Sequence, residues 1–150
     1  MSEQRTLRIL VVDDMPEIRK IIRHVLEKFV HAEIDEAEDG LEAISKAMSF
    51  TPQIVITDIS MPRMTGLEFI GFMQQRSELS SIPVIVLTSH TDERTQAQAL
   101  GLQVRAYLQK PFNPQKLLQT LSAILPDDSY LKEERMNGAV IASAPSSVKA

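Results

Sequence analysis

Residues 53–66 have the sequence QIVITDISMPRMTG, in which a β-branched apolar run stops at Asp58. A short apolar run bounded by turn residues is typical of a strand that is buried on both faces. The loop that follows contains Pro62 and Gly66, which favour turns. Beyond the loop, residues 67–73 have helical spacing. This stretch therefore predicts a central strand of a sheet, then a loop, then a helix.

The same strand-then-helix unit occurs five times along the chain. The predicted strands are residues 7–12, 32–36, 53–57, 83–88 and 104–109, and the predicted helices are residues 16–29, 40–48, 67–73, 92–100 and 114–125. Strict alternation of strand and helix predicts an α/β fold, with a parallel sheet that carries helices on both faces. The second strand is the most polar, which favours a position at the edge of the sheet.

Apolar spacing within the helices predicts which side chains are buried. In the second helix, Leu41, Ile44 and Met48 are expected to point inward, and Pro16 in the first helix makes Met15 the residue that caps its N-terminus. In the first helix the apolar residues recur at steps of three and four: Ile18, Ile21, Ile22, Val25, Leu26 and Phe29.

Composition limits the class of protein. A length of 150 residues with 43% hydrophobic residues suits one globular domain. The net charge of -4 gives no electrostatic reason to expect nucleic-acid binding. The chain has no cysteine, which excludes disulfides and thiolate metal sites and favours a cytoplasmic location. The first apolar run, residues 7–12, is too short for a signal peptide or a membrane span.

The C-terminal segment differs in character from the rest of the chain. Pro126 ends the last predicted helix, so the domain is predicted to cover residues 1–126. Residues 127–150 are predicted to be a tail or the start of a linker, with a short helix near residues 129–136.

Chemically distinctive residues follow four of the five strands. In open α/β sheets, ligands bind outside the carboxyl ends of the strands. The first strand ends at Asp13 and Asp14, the third at Asp58, the fourth at Thr88 and the fifth at Lys110. Three carboxylates at one edge repel each other, and a hard cation such as Mg²⁺ would relieve this while leaving room for phosphate oxygens. A carboxylate there can act as a nucleophile toward phosphorus, with the lysine and the threonine hydroxyl stabilising the transferring oxygens.

Each of these residues also has an ordinary structural explanation. An acidic pair before a helix often caps it, although Met15 is better placed to do so here. A single aspartate after a strand is usually a turn residue, and Lys110 before Pro111 is by default a solvated lysine. All of these residues lie at the carboxyl ends of predicted strands, which should meet at one edge of the sheet. Their combination favours the functional interpretation over the structural one.

These residues resemble the receiver domain of bacterial two-component response regulators, of the chemotaxis-regulator type. The resemblance runs from about residue 7 to residue 125 and implies a flavodoxin-like, doubly wound fold with five parallel strands in the order 2-1-3-4-5. Five motifs carry it: Asp13-Asp14, AEDGLEAI at residues 37–44, DISMPRMTG at residues 58–66, Thr88-Ser89 and Lys110-Pro111-Phe112.

The resemblance implies a role for each acidic residue. Asp58 would accept a phosphoryl group from a phosphohistidine on a sensor histidine kinase or a phosphotransfer protein. Asp14, Asp58 and the backbone carbonyl of Ser60 would bind Mg²⁺, and Asp13 would hold a metal-bound water. The domain would be a signalling phosphoacceptor rather than an enzyme that turns over a separate substrate.

The resemblance also implies how the signal leaves the site. Lys110 would pair with the phosphoryl group, and its bond to Pro111 would be cis. Thr88 and Tyr107 would form a switch pair that biases a face made of the fourth predicted helix, the fifth strand and the fifth predicted helix. That face would bind a downstream target, an output domain of the same protein or a second copy of the chain, with no direct contact to nucleic acid or membrane.

Two departures from the family pattern stand out. Gln103 occupies a position that is usually glycine, four residues before the switch aromatic, and Gly101 lies two residues earlier. Ser60 and His90, which lie two residues after Asp58 and Thr88, occupy variable positions that influence how long the phosphoryl group persists.

Two other functions remain open on the sequence alone. A phosphatase could use the same nucleophile and metal, although such enzymes commonly have a second acid where this chain has Ser60. A degenerate receiver would act only as a protein-binding module. The residues after Leu125 are too few for a DNA-binding or catalytic effector domain, so the chain is expected to be a single-domain regulator or a part of a longer one.

Overall fold

The protein is described by a computed structural model that covers residues 5–89, 97–98, 101–132, 135–136 and 139–140. The main elements within these residues are β1 (Leu7–Val12), α1 (Pro16–Phe29), β2 (Ala32–Ala37), α2 (Gly40–Phe50), β3 (Ile54–Asp58), α3 (Gly66–Gln74), β4 (Val84–Thr88), β5 (Val104–Gln109) and α4 (Pro114–Ile124). Helix α4 is the fifth predicted helix. Of the fourth predicted helix, only residues 97 and 98 are described, and both are helical.

The five strands form one sheet in the order β2-β1-β3-β4-β5, and every neighbouring pair is parallel. The predicted fold and strand order are therefore confirmed, including the edge position of the polar second strand. Because all strands run in the same direction, residues 13–14, 58, 88 and 110 are delivered to one edge of the sheet.

Two apolar clusters lie on opposite faces of the sheet. One packs α1 and α4 against the sheet, with Leu26 and Leu121 among its buried residues. The other packs α2 and α3 against the opposite face, with Ala47 and Phe69 among its buried residues. Within the described residues, no helix is both long and apolar enough to cross a membrane.

The helix starts match the local chemistry of the chain. Met15 caps α1 without a side-chain hydrogen bond and Pro16 follows, as predicted. The Oδ1 atom of Asp39 accepts the N–H of Glu42 and caps α2. Thr65 and its partner Glu68 form a capping box at α3. These caps fix the loops at the carboxyl edge of the sheet.

The apolar spacing predicted that three side chains are buried, but the structure shows them exposed, so this prediction is wrong for them. Ile21 on α1 is 46% exposed, and Leu41 and Met48 on α2 are 50% and 41% exposed. Helix α2 instead buries the small residues Ala43 and Ala47. An apolar arc wider than the contact with the sheet leaves its flank in solvent, because the sheet covers only one side of each helix.

The core continues beyond Pro126 through residues 127–132, which we call the C-terminal clasp. Tyr130 and Leu131 are buried in the α1/α4 cluster, and Leu131 forms an antiparallel bridge with Val30. The predicted helix near residues 129–136 is corrected at the described positions. Residues 128–130 form one 3-10 turn, and residues 135–136 pair with residues 139–140 as two short antiparallel strands.

The departure at Gln103 has a structural explanation. The left-handed backbone conformation occurs at Gly101, with φ 81°, and Gln103 ends a 3-10 turn that leads into β5. The buried Gln103 amide donates hydrogen bonds to the carbonyls of Leu79 at 2.8 Å and Ile82 at 3.1 Å. The connection into β5 is therefore anchored by a side chain rather than capped by glycine at this position.

Candidate functional site

Three carboxylates meet at the carboxyl edge of the sheet. Asp13 and Asp14 follow β1, and Asp58 is the last residue of the neighbouring strand β3. One ligand atom from each lies within 4.8 Å of the others. Asp13 is 0% exposed and Asp58 is 5% exposed, while Asp14 is exposed to solvent. The cluster therefore has a buried floor and one acid at its open side.

Lys110 provides the positive charge of this cluster. Its Nζ atom lies 2.8 Å from Oδ2 of Asp13 and 3.2 Å from Oδ2 of Asp58. It follows β5, and its backbone N–H donates to the carbonyl of Thr88 at 2.7 Å. The Lys110–Pro111 bond is cis, as the resemblance implies. A single ammonium group thus contacts two carboxylates from two different strands.

Asp58 is a weaker acid than an ordinary aspartate because of its surroundings. Burial, together with the negative charge of Asp13, raises the pKa of Asp58 to about 6, although Lys110 and the N–H of Ile59 offset part of this rise. Burial disfavours the charged form of Lys110, but the two carboxylates outweigh it and raise the pKa of Lys110. The site thus combines three carboxyl groups with a single ammonium group.

Backbone hydrogen bonds hold Asp13 in place. Its Oδ1 atom accepts the N–H of Met15 at 2.9 Å, and its own N–H donates to the carbonyl of Ala37 at 3.1 Å. Its carbonyl accepts Nη1 of Arg19 at 2.7 Å, and the same guanidinium pairs with Glu36 on β2 at 2.9 Å. Helix α1 and the edge strand thus fix the loop that carries both acids of the pair.

The loop after Asp58 is pressed against the strand that precedes it. The N–H of Gly66 donates to the carbonyl of Ile59 at 2.8 Å. A Cβ atom at Gly66 would lie only 1.9 Å from the carbonyl oxygen of Asp58, so no larger residue fits without moving the backbone. Ser60, the predicted carbonyl ligand, lies on this loop and is exposed.

The predicted switch residues lie on adjacent strands. Thr88 is buried at the end of β4, and Tyr107 on β5 is partly buried against the α2/α3 cluster. In the β4–β5 register Tyr107 is opposite Val86, and Thr88 is opposite Gln109. His90 lies outside the described residues.

The donor set suits a hard divalent cation. It consists of the carboxylate oxygens of two buried residues and of one residue that is exposed to solvent. Oxygen donors with room for water and phosphate are typical of Mg²⁺ sites. Asp13, Asp14 and Asp58 are thus the residues that could hold the metal.

Residues that the sequence did not single out also shape the site. Arg19 contacts the Asp13 backbone. Arg63 has a left-handed backbone, with φ 67°, and its guanidinium binds the Asp39 carboxylate that caps α2. Side chains that act through another residue leave no motif of their own.

Comparison with known proteins identifies the family of the chain. The family model described as "Response regulator receiver domain" matches residues 9–122. The Helicobacter pylori chemotaxis protein CheY1 is 34% identical over 120 residues, which are 79% of this chain and 97% of that protein. The high-resolution structure of the Vibrio cholerae chemotaxis response regulator CheY4 is 35% identical with a TM-score of 0.74, covering 81% of this chain and all of that one.

A third relative is much longer than this chain. The hybrid signal transduction histidine kinase D of Dictyostelium discoideum is 33% identical over 129 residues, which are 84% of this chain but only 8% of that protein. The same unit therefore occurs alone and as a small part of large signalling proteins. With the family match spanning all but the ends of the chain, and the acids, threonine and lysine at the expected strand ends, the chain belongs to the receiver domains of two-component systems.

Proposed function

We propose that Asp58 accepts a phosphoryl group from a phosphohistidine of a sensor histidine kinase or phosphotransfer protein, in a reaction that requires Mg²⁺. The observation that carries this proposal is the contact of Lys110 with both Asp13 and Asp58 beside three clustered carboxylates. The similarities to a chemotaxis protein and to a hybrid histidine kinase support the choice of phosphodonor.

The chemistry needs little beyond position and charge. A carboxylate oxygen of Asp58 attacks the phosphorus, the P–N bond to the imidazole breaks, and the histidine keeps the electron pair and takes a proton from solvent. The product is an acyl phosphate on Asp58. Asp14, Asp58 and the Ser60 carbonyl would hold Mg²⁺ directly, and Asp13 would hold a metal-bound water. The cation would supply positive charge beside the transferring oxygens.

Lys110 and Thr88 would respond to the new phosphate. Phosphorylation adds negative charge and acceptor oxygens beside the Lys110 ammonium group. The Thr88 hydroxyl at the end of β4 gains an acceptor, and Tyr107 on the adjacent strand can repack. This would bias the face predicted from the fourth predicted helix, β5 and α4 toward a partner, an output domain or a second copy.

Mass spectrometry after incubation with Mg²⁺ and acetyl phosphate tests the proposal. The wild type should gain one phosphoryl group, while Asp58→Asn and a sample with EDTA should gain none. Asp128→Asn serves as a matched control, since Asp128 is exposed and lies in the C-terminal clasp. An unlabelled wild type, under conditions that label another receiver domain, would refute it.

The same preparation separates the two alternatives. Sustained hydrolysis of p-nitrophenyl phosphate, at many turnovers per protein, would indicate a phosphatase. Absence of Mg²⁺ binding in calorimetry would indicate a degenerate receiver. We expect neither, because no second acid lies two residues after Asp58 and all three acids and the lysine are present.

A further inference from the structure

The loop that follows Asp58 is tied to the start of α2. Arg63 lies five residues after Asp58, and its Nε atom donates to Oδ2 of Asp39 at 2.8 Å, with Nη2 donating to the same oxygen. Next to this pair, the N–H of Gly40 donates to the carbonyl of Met64 at 3.0 Å. Two consecutive loop residues, one by its side chain and one by its backbone, therefore contact the first turn of α2.

The two partners differ in exposure. The Asp39 carboxylate is 1% exposed, whereas the Arg63 side chain is 63% exposed. An ion pair between two exposed groups contributes little, but an arginine that binds a buried carboxylate through two donors has a defined geometry. The Oδ1 atom of Asp39 is also occupied by the N–H of Glu42. Asp39 is thus held in place by α2, and its contact with Arg63 restrains the loop.

The restraint acts on the segment that follows Asp58. The carbonyl of Ile59 accepts the N–H of Gly66, which joins the two ends of the loop at its base. Farther along the chain, Arg63 and Met64 hold the loop against α2. Ser60, whose carbonyl is the proposed metal ligand, lies between Ile59 and Arg63. A loop fixed at both ends presents that carbonyl in one position, while a loop fixed at one end would have to be ordered when the cation binds.

We propose that the Arg63–Asp39 pair is a positioning latch that holds the loop after Asp58 against α2 and thereby increases the affinity of the site for Mg²⁺. This inference rests on the proposed phosphoacceptor function, which it deepens. Arg63 contacts neither metal nor phosphate in this scheme and acts through the loop backbone.

Arg63→Gly is the central test variant. Glycine adopts the left-handed conformation of residue 63 readily, so the change removes the guanidinium without straining the backbone. Arg63→Lys keeps a cation that can reach Asp39. Asp39→Ser keeps a cap for α2 but cannot reach Arg63. These variants separate loss of the pair from loss of the helix start.

The first measurement is the Mg²⁺ concentration that gives half-maximal phosphorylation by acetyl phosphate. We expect a rise of about five- to tenfold for Arg63→Gly and for Asp39→Ser, and no further rise in the double variant. Arg63→Lys should recover most of the loss, and the rate at saturating Mg²⁺ should stay close to that of the wild type. A half-saturation for folded Arg63→Gly within twofold of the wild type would overturn the proposal.

The second measurement does not depend on metal or phosphate. In Mg²⁺-free buffer, amide hydrogen exchange at Gly40 and Gly66 should be faster in Arg63→Gly, while exchange in β1 and α4 is unchanged. Unchanged exchange at both glycines would overturn the latch even if the wild type is phosphorylated. Faster exchange with a wild type that binds no Mg²⁺ would instead refute the proposed function and leave the loop restraint intact.

Discussion

The ammonium nitrogen of Lys110 lies 3.2 Å from Oδ2 of Asp58, although the two residues end strands that are not neighbours in the sheet. Strand β4 separates them, and the lysine side chain crosses the end of that strand to reach the carboxylate. The pKa of Asp58 is raised to about 6 by burial and by the charge of Asp13, in spite of this contact. Lys110 therefore limits the rise in the pKa of the group that is proposed to react.

Replacement of Lys110 by methionine should raise the pKa of Asp58 further. The substitution keeps a long side chain but removes the cation that favours the ionised carboxylate. Titration of the aspartate carboxyl carbons by NMR measures this directly, with Lys116→Met as a control because Lys116 is exposed on α4. An Asp58 pKa that stays the same or falls in Lys110→Met would contradict the electrostatic account.

Asp58→Asn should stabilise the protein at neutral pH. Because the folded-state pKa lies above the ordinary value of 3.8, the folded protein binds a proton more tightly than the unfolded chain does. The stability contributed by Asp58 is fully present below about pH 4 and is lost as the pH rises through about 6. We expect the variant to gain about 1–2 kcal/mol in free energy of unfolding at pH 7.5, and much less at pH 4.

Urea unfolding of both proteins in EDTA, at several pH values, measures this difference. A gain that is independent of pH would mean that the amide improves packing or hydrogen bonding rather than removing a buried charge.

Mg²⁺ should stabilise the wild type and should do so less below pH 6. Protons compete with the metal for Asp58, and the metal binds the folded state only. At ten times the dissociation constant the gain is about 1.4 kcal/mol. Thermal unfolding with and without Mg²⁺ tests this. Asp14→Asn, an exposed change expected to alter metal-free stability by less than about 0.5 kcal/mol, should abolish most of the shift.

The chemistry of the site could be predicted from the sequence because the end of each strand is a local feature of the chain. Asp13, Asp14 and Asp58 each follow a run of buried residues, and parallel topology alone brings their strand ends to one edge. The exposure of Leu41 and Met48 could not be predicted in the same way. Whether a flank of α2 is covered depends on what packs beside it, which helical spacing does not specify.

Contacts made by individual arginine side chains could also not be predicted from local patterns. Arg63 and Asp39 are 24 positions apart, and the Arg19 contact is to a backbone carbonyl, which has no residue type. Gln103 illustrates the converse case. The sequence identified it as a departure, but only the structure shows that its amide binds the loop before β4.

Gln103→Gly should therefore destabilise the protein, although glycine is the residue expected from the family pattern. The change removes two hydrogen bonds to buried carbonyls, which must then accept hydrogen bonds from water or stay unpaired. We expect a loss of about 1–3 kcal/mol in free energy of unfolding. Gln75→Gly at the end of α3, which is exposed, is a control for the loss of backbone order. Equal stability of Gln103→Gly and the wild type would show that the anchor is dispensable.

The C-terminal clasp lies beyond the domain boundary predicted at residue 126, but its residues contact the core. The N–H of His31 donates to the carbonyl of Tyr130 at 2.7 Å, and the N–H of Lys132 donates to the carbonyl of Phe29 at 2.8 Å. The guanidinium of Arg5 lies 4.7 Å from the centre of the Tyr130 ring. A chain that ends after Pro126 should lose about 3 kcal/mol or more, since it uncovers the base of the α1/α4 cluster.

Urea unfolding of chains ending after residue 126 and after residue 132 separates the contribution of the clasp from that of residues 133–150. The longer chain keeps Tyr130, Leu131 and both backbone hydrogen bonds, so it should be the more stable of the two by about 3 kcal/mol. Within the full chain, Tyr130→Ala should reproduce most of the loss, whereas Asp128→Ala, an exposed change, should alter stability by less than about 0.5 kcal/mol. Equal stability of the two shortened chains would place the limit of the folding unit at residue 126, because buried contacts that contribute nothing cannot belong to its core.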